Sequence, residues 1–464
     1  MFGPVNRWLP AFALALLASL SIWFQRSEHP GMLDDTDTRV LLTKVRERGD
    51  PLSWFTGDWP LENHFYRPVS TLAFELDNAL YGGWAPGYGR TQALIAMICV
   101  WLLFWFLREL TDRPSLAALG SSLFALWVTD DAVALVPWVR WLVWIAVMAA
   151  LFRSLRERAE PRWFGVALVW GAWVQFGSEL AGQYALHGRN VAWLPGRTAT
   201  VMTVFALIAL ASYARYERLR QAAWQRENPA PFQPTDPPAT RTTRLDRLPK
   251  RPALWLIPSV MGLLLALASY EQAVMVPACL LGVAIVFRWQ GAKPRWPIQS
   301  IFWGGLALYV VLRMQWVPSE PSGYQQQQFR SSTNVALDLL ETLLPSLRQV
   351  WPMAQSLDLG VEGFFFGGGM LALAALAANV LALIALGKRW PLAIGALALA
   401  WLAYLPMAWL KLFEHYHFWP MAMRSLYVIV LGWAAIEATI SAGSPRALKA
   451  PPRPNPAPGS LPRP

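Results

Sequence analysis

The run QALIAMICVWLLFWFL, residues 92–107, carries no charged side chain and is closed by Arg108 and Glu109. A helix rises about 1.5 Å per residue, so such a run spans most of a bilayer core about 30 Å thick. Eleven further apolar runs read the same way, near 8–24, 114–129, 139–152, 163–180, 199–214, 253–269, 273–287, 298–312, 367–386, 392–410 and 421–440. The expected fold is therefore an all-α polytopic membrane protein of about 12 transmembrane helices. Composition agrees: of 464 residues, 55% are hydrophobic and 15% charged, against about 25% charged in soluble domains.

The first run continues through Ile22-Trp23-Phe24. That passes any plausible cleavage point, so the segment is expected to stay as the first span. Cys99 and Cys279 both fall inside apolar runs, which predicts packed thiols rather than a disulfide framework.

The net charge of +11 does not point to nucleic acid, because the basic residues collect in particular loops. Arg153, Arg156, Arg158 and Arg162 share one. Arg215 to Arg251 share the next, and Lys388, Arg389, Arg446 and Lys449 lie beyond. Under the twelve-span reading they all face one side, the cytoplasm, together with both termini.

Long polar segments fall on the other side: a large first outer loop over 25–91 and a second over 313–366. Surface helices are expected in the first, around Val40–Arg48 and Val69–Leu80. Residues 1–440 form the membrane domain, including the basic and Pro-rich cytoplasmic loop 215–252. Residues 441–464 read as a disordered Pro-rich cytoplasmic tail.

Asp34 and Asp35 lie just outside the first span. A carboxylate at a membrane boundary can act as a base toward a hydroxyl, and partial desolvation raises its pKa. The alternative is a helix-capping acid. In Tyr66-Arg67-Pro68, Arg67 can grip a phosphate or carboxylate with two bonds, and Pro68 suits a helix start. The alternative is an interfacial arginine among belt aromatics.

Arg197, Glu271 and Arg424, the last near Tyr427, sit at or within spans. Charges there are costly and mark either functional sites or interhelical ion pairs. Glu179 is a weaker case. His415 and His417 are too sparse a pair to define a metal site, and no cofactor is expected. Trp54, Trp59 and Trp84 in the first outer loop offer amphipathic faces suited to sugar rings. Val133–Arg140 and Val191–Arg197 form a weak internal echo.

Four blocks together resemble the GT-C superfamily of membrane glycosyltransferases. The branch with protein O-mannosyltransferase-like and tetratricopeptide-linked mannosyltransferases of bacteria is the most similar. The blocks are Asp34-Asp35; Phe65-Tyr66-Arg67-Pro68-Val69-Ser70, running on to Tyr88; Val191 to Arg197; and Leu267 to Pro277. Leu405-Pro406 with Arg424 to Tyr427 adds a weaker block.

The resemblance implies inverting transfer of a sugar from a polyprenyl-phosphate donor to a hydroxyl acceptor at the extracytoplasmic face. Asp34 and Asp35 would be the catalytic acids. Tyr66, Arg67, Arg197, Glu271, Arg424 and Tyr427 would bind donor phosphate or substrate. This sequence departs from the family pattern at Gly89, Tyr270 and Thr198-Ala199, where the family often has His, Lys and an acid. A non-catalytic lipid-glycan transport or assembly protein on the same scaffold is the alternative. A transporter unrelated to sugars ranks below both, since the echo is not inverted.

Overall fold

A computed structural model describes residues 8–128, 193–227, 252–289, 295–329, 386, 390–411 and 413–443. The spans expected near 139–152, 163–180 and 367–386 fall outside the described residues, save Leu386. So do Glu179, the 133–140 half of the echo and the tail beyond Gly443. Among the described residues the chain is all-helical, with no strand.

The helices in chain order are α1 Leu9–Phe24, α2 Thr36–Arg48, α3 Pro68–Tyr81, α4 Ala85–Thr111, α5 Pro114–Val128 and α6 Arg197–Glu227. They continue with α7 Leu256–Leu267, α8 Val276–Trp289, α9 Trp296–Trp316, α10 Gly323–Gln328, α11 Trp390–Tyr404 and α12 Phe418–Gly443. Among the described residues, five helical segments are long and apolar enough to cross a membrane: 85–111, 194–224, 271–288, 296–316 and 390–407. Each coincides with an apolar run read from the sequence. Several such helices in one chain fit a membrane protein.

α6 is the hub. It packs against α4, α7, α8 and α12, and 83% of its apolar window is buried inside the protein. α9 is peripheral: only 17% of its window is buried, and it exposes Ile301, Trp303, Val311 and Met314. An apolar helix with an apolar outer face suits lipid, not water.

α6 and α7 approach so closely that a Cβ on Gly262 would sit 2.8 Å from both Ala209 N and Phe205 O. The Ser259 hydroxyl donates to Ala209 O at 3.0 Å in the same seam. Small residues let helix backbones meet without a solvent-driven force between them.

α4 and α6 run parallel. Their starts meet at Gln92 and Arg197, and their ends meet where Glu109 pairs with Arg215 and Arg218 at 3.3 and 3.4 Å. Arg108 adds a third cation to Glu109 at 3.2 Å. Charge thus gathers at both ends of the bundle and leaves the middle apolar.

α2 and α3 lie in the polar segment between α1 and α4. α2 buries Thr38, Leu41, Leu42 and Val45, an i, i+3, i+4, i+7 stripe that lays one face on protein and one on solvent. Asp35 caps its start and Gly49, at φ 63°, closes its end. Pro68 opens α3 at its first position and Gly82, at φ 56°, ends it.

Candidate functional site

The acidic loop comes first along the chain. A 3-10 turn, Pro30–Leu33, brings the backbone from α1 to Asp34, which remains exposed. Asp35 Oδ2 accepts from Thr38 N at 3.2 Å and Thr38 Oγ1 at 3.3 Å. This is the capping geometry that satisfies a first-turn donor. The same oxygen accepts from the Trp193 indole N–H at 3.3 Å.

Asp37 keeps solvent contact in the first turn of α2. Nearby protein withdraws water from it, and the Asp35 charge adds to this, so its carboxyl is held above the ordinary carboxylate value. The sequence reading passed over Asp37. Its spacing from Asp35 was visible, but its environment was not.

Arg67 and Glu271 meet across the fold. Arg67 Nε lies 3.1 and 2.9 Å from the two carboxylate oxygens, and Nη2 lies 2.6 Å from Oε2. The guanidinium also rests against Phe65 at 4.1 Å, Tyr270 at 4.5 Å and Trp59 at 5.1 Å. Burial is the largest influence and works against the Arg67 charge, but Glu271, Tyr270 and Tyr416 together outweigh it, so the guanidinium is held above its usual value. Val69 N to Ala268 O and Ser70 Oγ to Ser269 O fix the two segments side by side. The two sequence blocks that contain Arg67 and Glu271 are therefore one site.

Aromatic rings connect this pair to the acidic loop. Trp193 stands 5.1 Å from His415, His415 stands 4.4 Å from Tyr416, and Tyr416 stands 6.5 Å from Tyr270. Gln272 holds the arrangement by donating to Ala403 O at 2.8 Å and Tyr416 O at 2.9 Å. Tyr324, at the start of α10, senses both Asp37 and Arg67, and burial is the main cause of its raised pKa.

Tyr66 points its hydroxyl at Phe55 O, 3.0 Å away. Its ring lies near Tyr309 and Trp316 at 6.0 and 5.9 Å. It packs the segment that precedes α3 onto α9.

Arg197 is wholly buried. It pairs with Asp77 at 2.6 Å, donates to Gln92 Oε1 at 2.7 Å and reaches the carbonyls of Tyr88 at 3.1 Å and Ala73 at 3.3 Å. That fork ties α3, α4 and α6 into one unit. These contacts are structural pins; no hydrogen-bond vector in them points to solvent. Burial lifts the Asp77 carboxyl above its ordinary value even opposite Arg197. Sequence reasoning gives Asp77, a position within the second block, no role, and it passes over Gln92; both lie more than a hundred residues from Arg197.

Arg424 and Tyr427 are buried in α12, where Arg424 Nη1 lies 3.9 Å from Met421 Sδ. They belong to the helix core formed with α5, α6 and α11.

Among the described residues no group of three or more His, Cys, Asp or Glu side chains could hold a metal ion. His417 stacks on Tyr404 at 4.9 Å, and His415 lies in the aromatic path already described. No protein-family model, curated protein or solved structure matches the chain.

Proposed function

We propose that this chain is an integral-membrane glycosyltransferase. It moves a sugar from a polyprenyl-phosphate donor to a hydroxyl acceptor at the extracytoplasmic face. In this reading the membrane domain has about twelve spans, both termini are cytoplasmic, and the active site lies on the cell membrane's outer side.

The observation that carries the reading is the junction at Trp193. Its indole binds Asp35, and its ring begins the aromatic path to Tyr270, on which Arg67 rests. An acid loop linked through these rings to a desolvated arginine offers the two groups such a transfer needs. The four sequence blocks that resemble the GT-C superfamily meet in two pairs, Asp35 with Trp193 and Arg67 with Glu271, which adds support.

The chemistry balances with the chain's own groups. A carboxylate of the acidic loop takes the acceptor hydroxyl's proton. The oxygen attacks the anomeric carbon from the face opposite the leaving group, and the bond to the phosphate oxygen breaks with inversion. Polyprenyl phosphate leaves carrying the electron pair. Arg67 stabilises that developing charge, with Glu271 holding it in orientation beforehand. Asp37, with its raised pKa, is better matched to proton transfer than an ordinary carboxylate. Asp35 has two roles, cap and acid.

A second reading has its own support. The capping bond of Asp35 and the internal saturation of Arg197 are what a non-catalytic lipid-glycan assembly protein on this scaffold would also keep.

The test is single-turnover transfer in proteoliposomes, using a panel of polyprenyl-phosphate hexoses and pentoses. Wild type should release polyprenyl phosphate in an acceptor-dependent reaction. Arg67→Lys should slow release at least tenfold, since a point charge cannot replace the fork. If no donor in the panel is consumed, or if Arg67→Lys is as fast as wild type, the transferase mechanism is wrong.

A further inference from the structure

We propose that the first outer loop carries a binding subsite for a neutral sugar unit of the acceptor, in the cavity lined by Trp54 and Trp59. The inference rests on the transferase reading and narrows its acceptor to a glycan. The cavity measures about 390 Å³, within the usual range of small-ligand clefts. Trp84, the third outer-loop tryptophan, is elsewhere: it packs on Tyr81 and Arg90.

The lining chemistry selects the ligand class. Lys44 and Arg48 supply donors, and Glu47, Asp58 and Glu62 supply acceptors. Three carboxylates against two cations disfavour a phosphate or other anion. A metal ion is also a poor fit. Asp58 already accepts from the backbone N–H groups of Trp59 at 2.7 Å and His64 at 3.0 Å, and Glu62 is bound by Lys44 at 2.9 Å. Carboxylates so engaged still have lone pairs for hydroxyl groups. A neutral polyol both donates and accepts, so it matches a wall of mixed sign.

The aromatic floor matters less for stacking than for shape. Arg48 lies over the Trp54 ring at 4.2 Å, and the Trp54 N–H is given to Glu75 at 2.8 Å. Recognition would therefore run through hydrogen bonds above a rigid apolar base. Trp59 is 2% exposed, and its indole N–H meets no acceptor among the described residues. Buried donors without acceptors are rare.

Two further observations mark the rim as built. Glu62 and His64 hold left-handed backbone at φ 52° and 62°, a conformation that non-glycine residues adopt at a cost and that gathers at functional sites. The loop is held there from outside. Arg313 and Gln325 both donate to His64 O at 3.2 Å, and Ser322 donates to Asn63 O at 3.1 Å. Trp59 also touches Arg67, so the cavity and the Arg67–Glu271 pair share a wall. An acceptor glycan seated here would lie beside the proposed reaction centre.

The test is ligand-observed saturation-transfer NMR on the full chain in detergent, with maltotriose, cellotriose, chitotriose and mannotriose as probes and inorganic phosphate as competitor. At least one trisaccharide should bind. Lys44→Ala/Glu47→Ala, both on the solvent side of α2, should weaken it at least tenfold, and Trp54→Ala should do the same. Trp84→Ala should bind as wild type does. The proposal is overturned if no trisaccharide binds, if the Lys44→Ala/Glu47→Ala chain binds undiminished, or if phosphate displaces the sugar. Binding without any transfer in the proteoliposome assay would instead count against the transferase reading alone.

Discussion

Replacing Arg197 by Met keeps the length of the side chain and removes its charge and its fork. Asp77 would then be a buried carboxylate, 1% exposed, with its cation gone. Removing one partner of a buried pair costs about 3–5 kcal/mol. The acceptors on Gln92, Tyr88 and Ala73 also lose a donor. Whole-domain stabilities are about 5–15 kcal/mol, so the loss takes a large share of the fold. Arg197→Met/Asp77→Asn removes the stranded charge and should recover about 1–3 kcal/mol relative to the sum of the single changes. Reversible unfolding by dodecyl sulfate titration in mixed micelles measures all four species. If Arg197→Met lies within about 1 kcal/mol of wild type, or the two changes simply add, Arg197 is not the pin described here. A normally folded Arg197→Met that loses donor binding would return Arg197 to the ligand site. The Asp77 proton gives an independent check. Its pKa is raised in the fold, so the folded chain binds that proton more tightly than the unfolded chain does. The contribution of this carboxyl to stability therefore falls as pH rises from the usual carboxylate value through the raised one, and Asp77→Asn should flatten that part of the profile.

Other outcomes follow from single residues. Asp37 ionises against burial and the Asp35 charge, so Asp37→Asn should raise the melting temperature at pH 7 and leave it unchanged near pH 3, where both states of the wild-type carboxyl are protonated. The same substitution should abolish any acid limb of the transfer rate that Asp37 produces, seen in a pH–rate profile. Gly262→Ala must push apart the backbones of α6 and α7 and should cost about 1–3 kcal/mol in the unfolding titration. Gly304→Ala meets nothing within 4 Å and should be close to neutral in the same titration.

The helices were legible because a span needs only composition and length. Residues 92–107 and 298–312 announce themselves by having no charge inside, and both lie inside observed helices. α2 and α3 were legible for a local reason. Asp35, Gly49, Pro68 and Gly82 are start and stop signals that act within a few residues. The site was legible in its members but not in its geometry. Nothing near Arg67 in the chain says that Glu271, 204 residues away, is its partner. Nothing near Arg197 points to Asp77 or Gln92. The roles of single residues therefore diverge from the pattern that located them: Arg197 ties helices, while Asp35 both caps α2 and receives Trp193. Asp37, Trp54 and Trp59 stand in the sequence, but the burial that raises the Asp37 pKa and the cavity at the tryptophans depend on three-dimensional neighbours.

The central claim is that the acidic loop performs sugar transfer, and a mass comparison of cell-envelope glycolipids, polysaccharides and glycoproteins tests it most directly. The strains are a deletion, the deletion with wild type restored, and the deletion with Asp34→Asn, Asp35→Asn or Asp37→Asn at matched expression. One glycan should lose a single sugar mass in the deletion. Wild type should restore it, and at least one of the three substitutions should fail to, which names both the sugar and the base. Full restoration by all three, and by a chain carrying them together, contradicts carboxylate catalysis at this loop and leaves the assembly-protein reading.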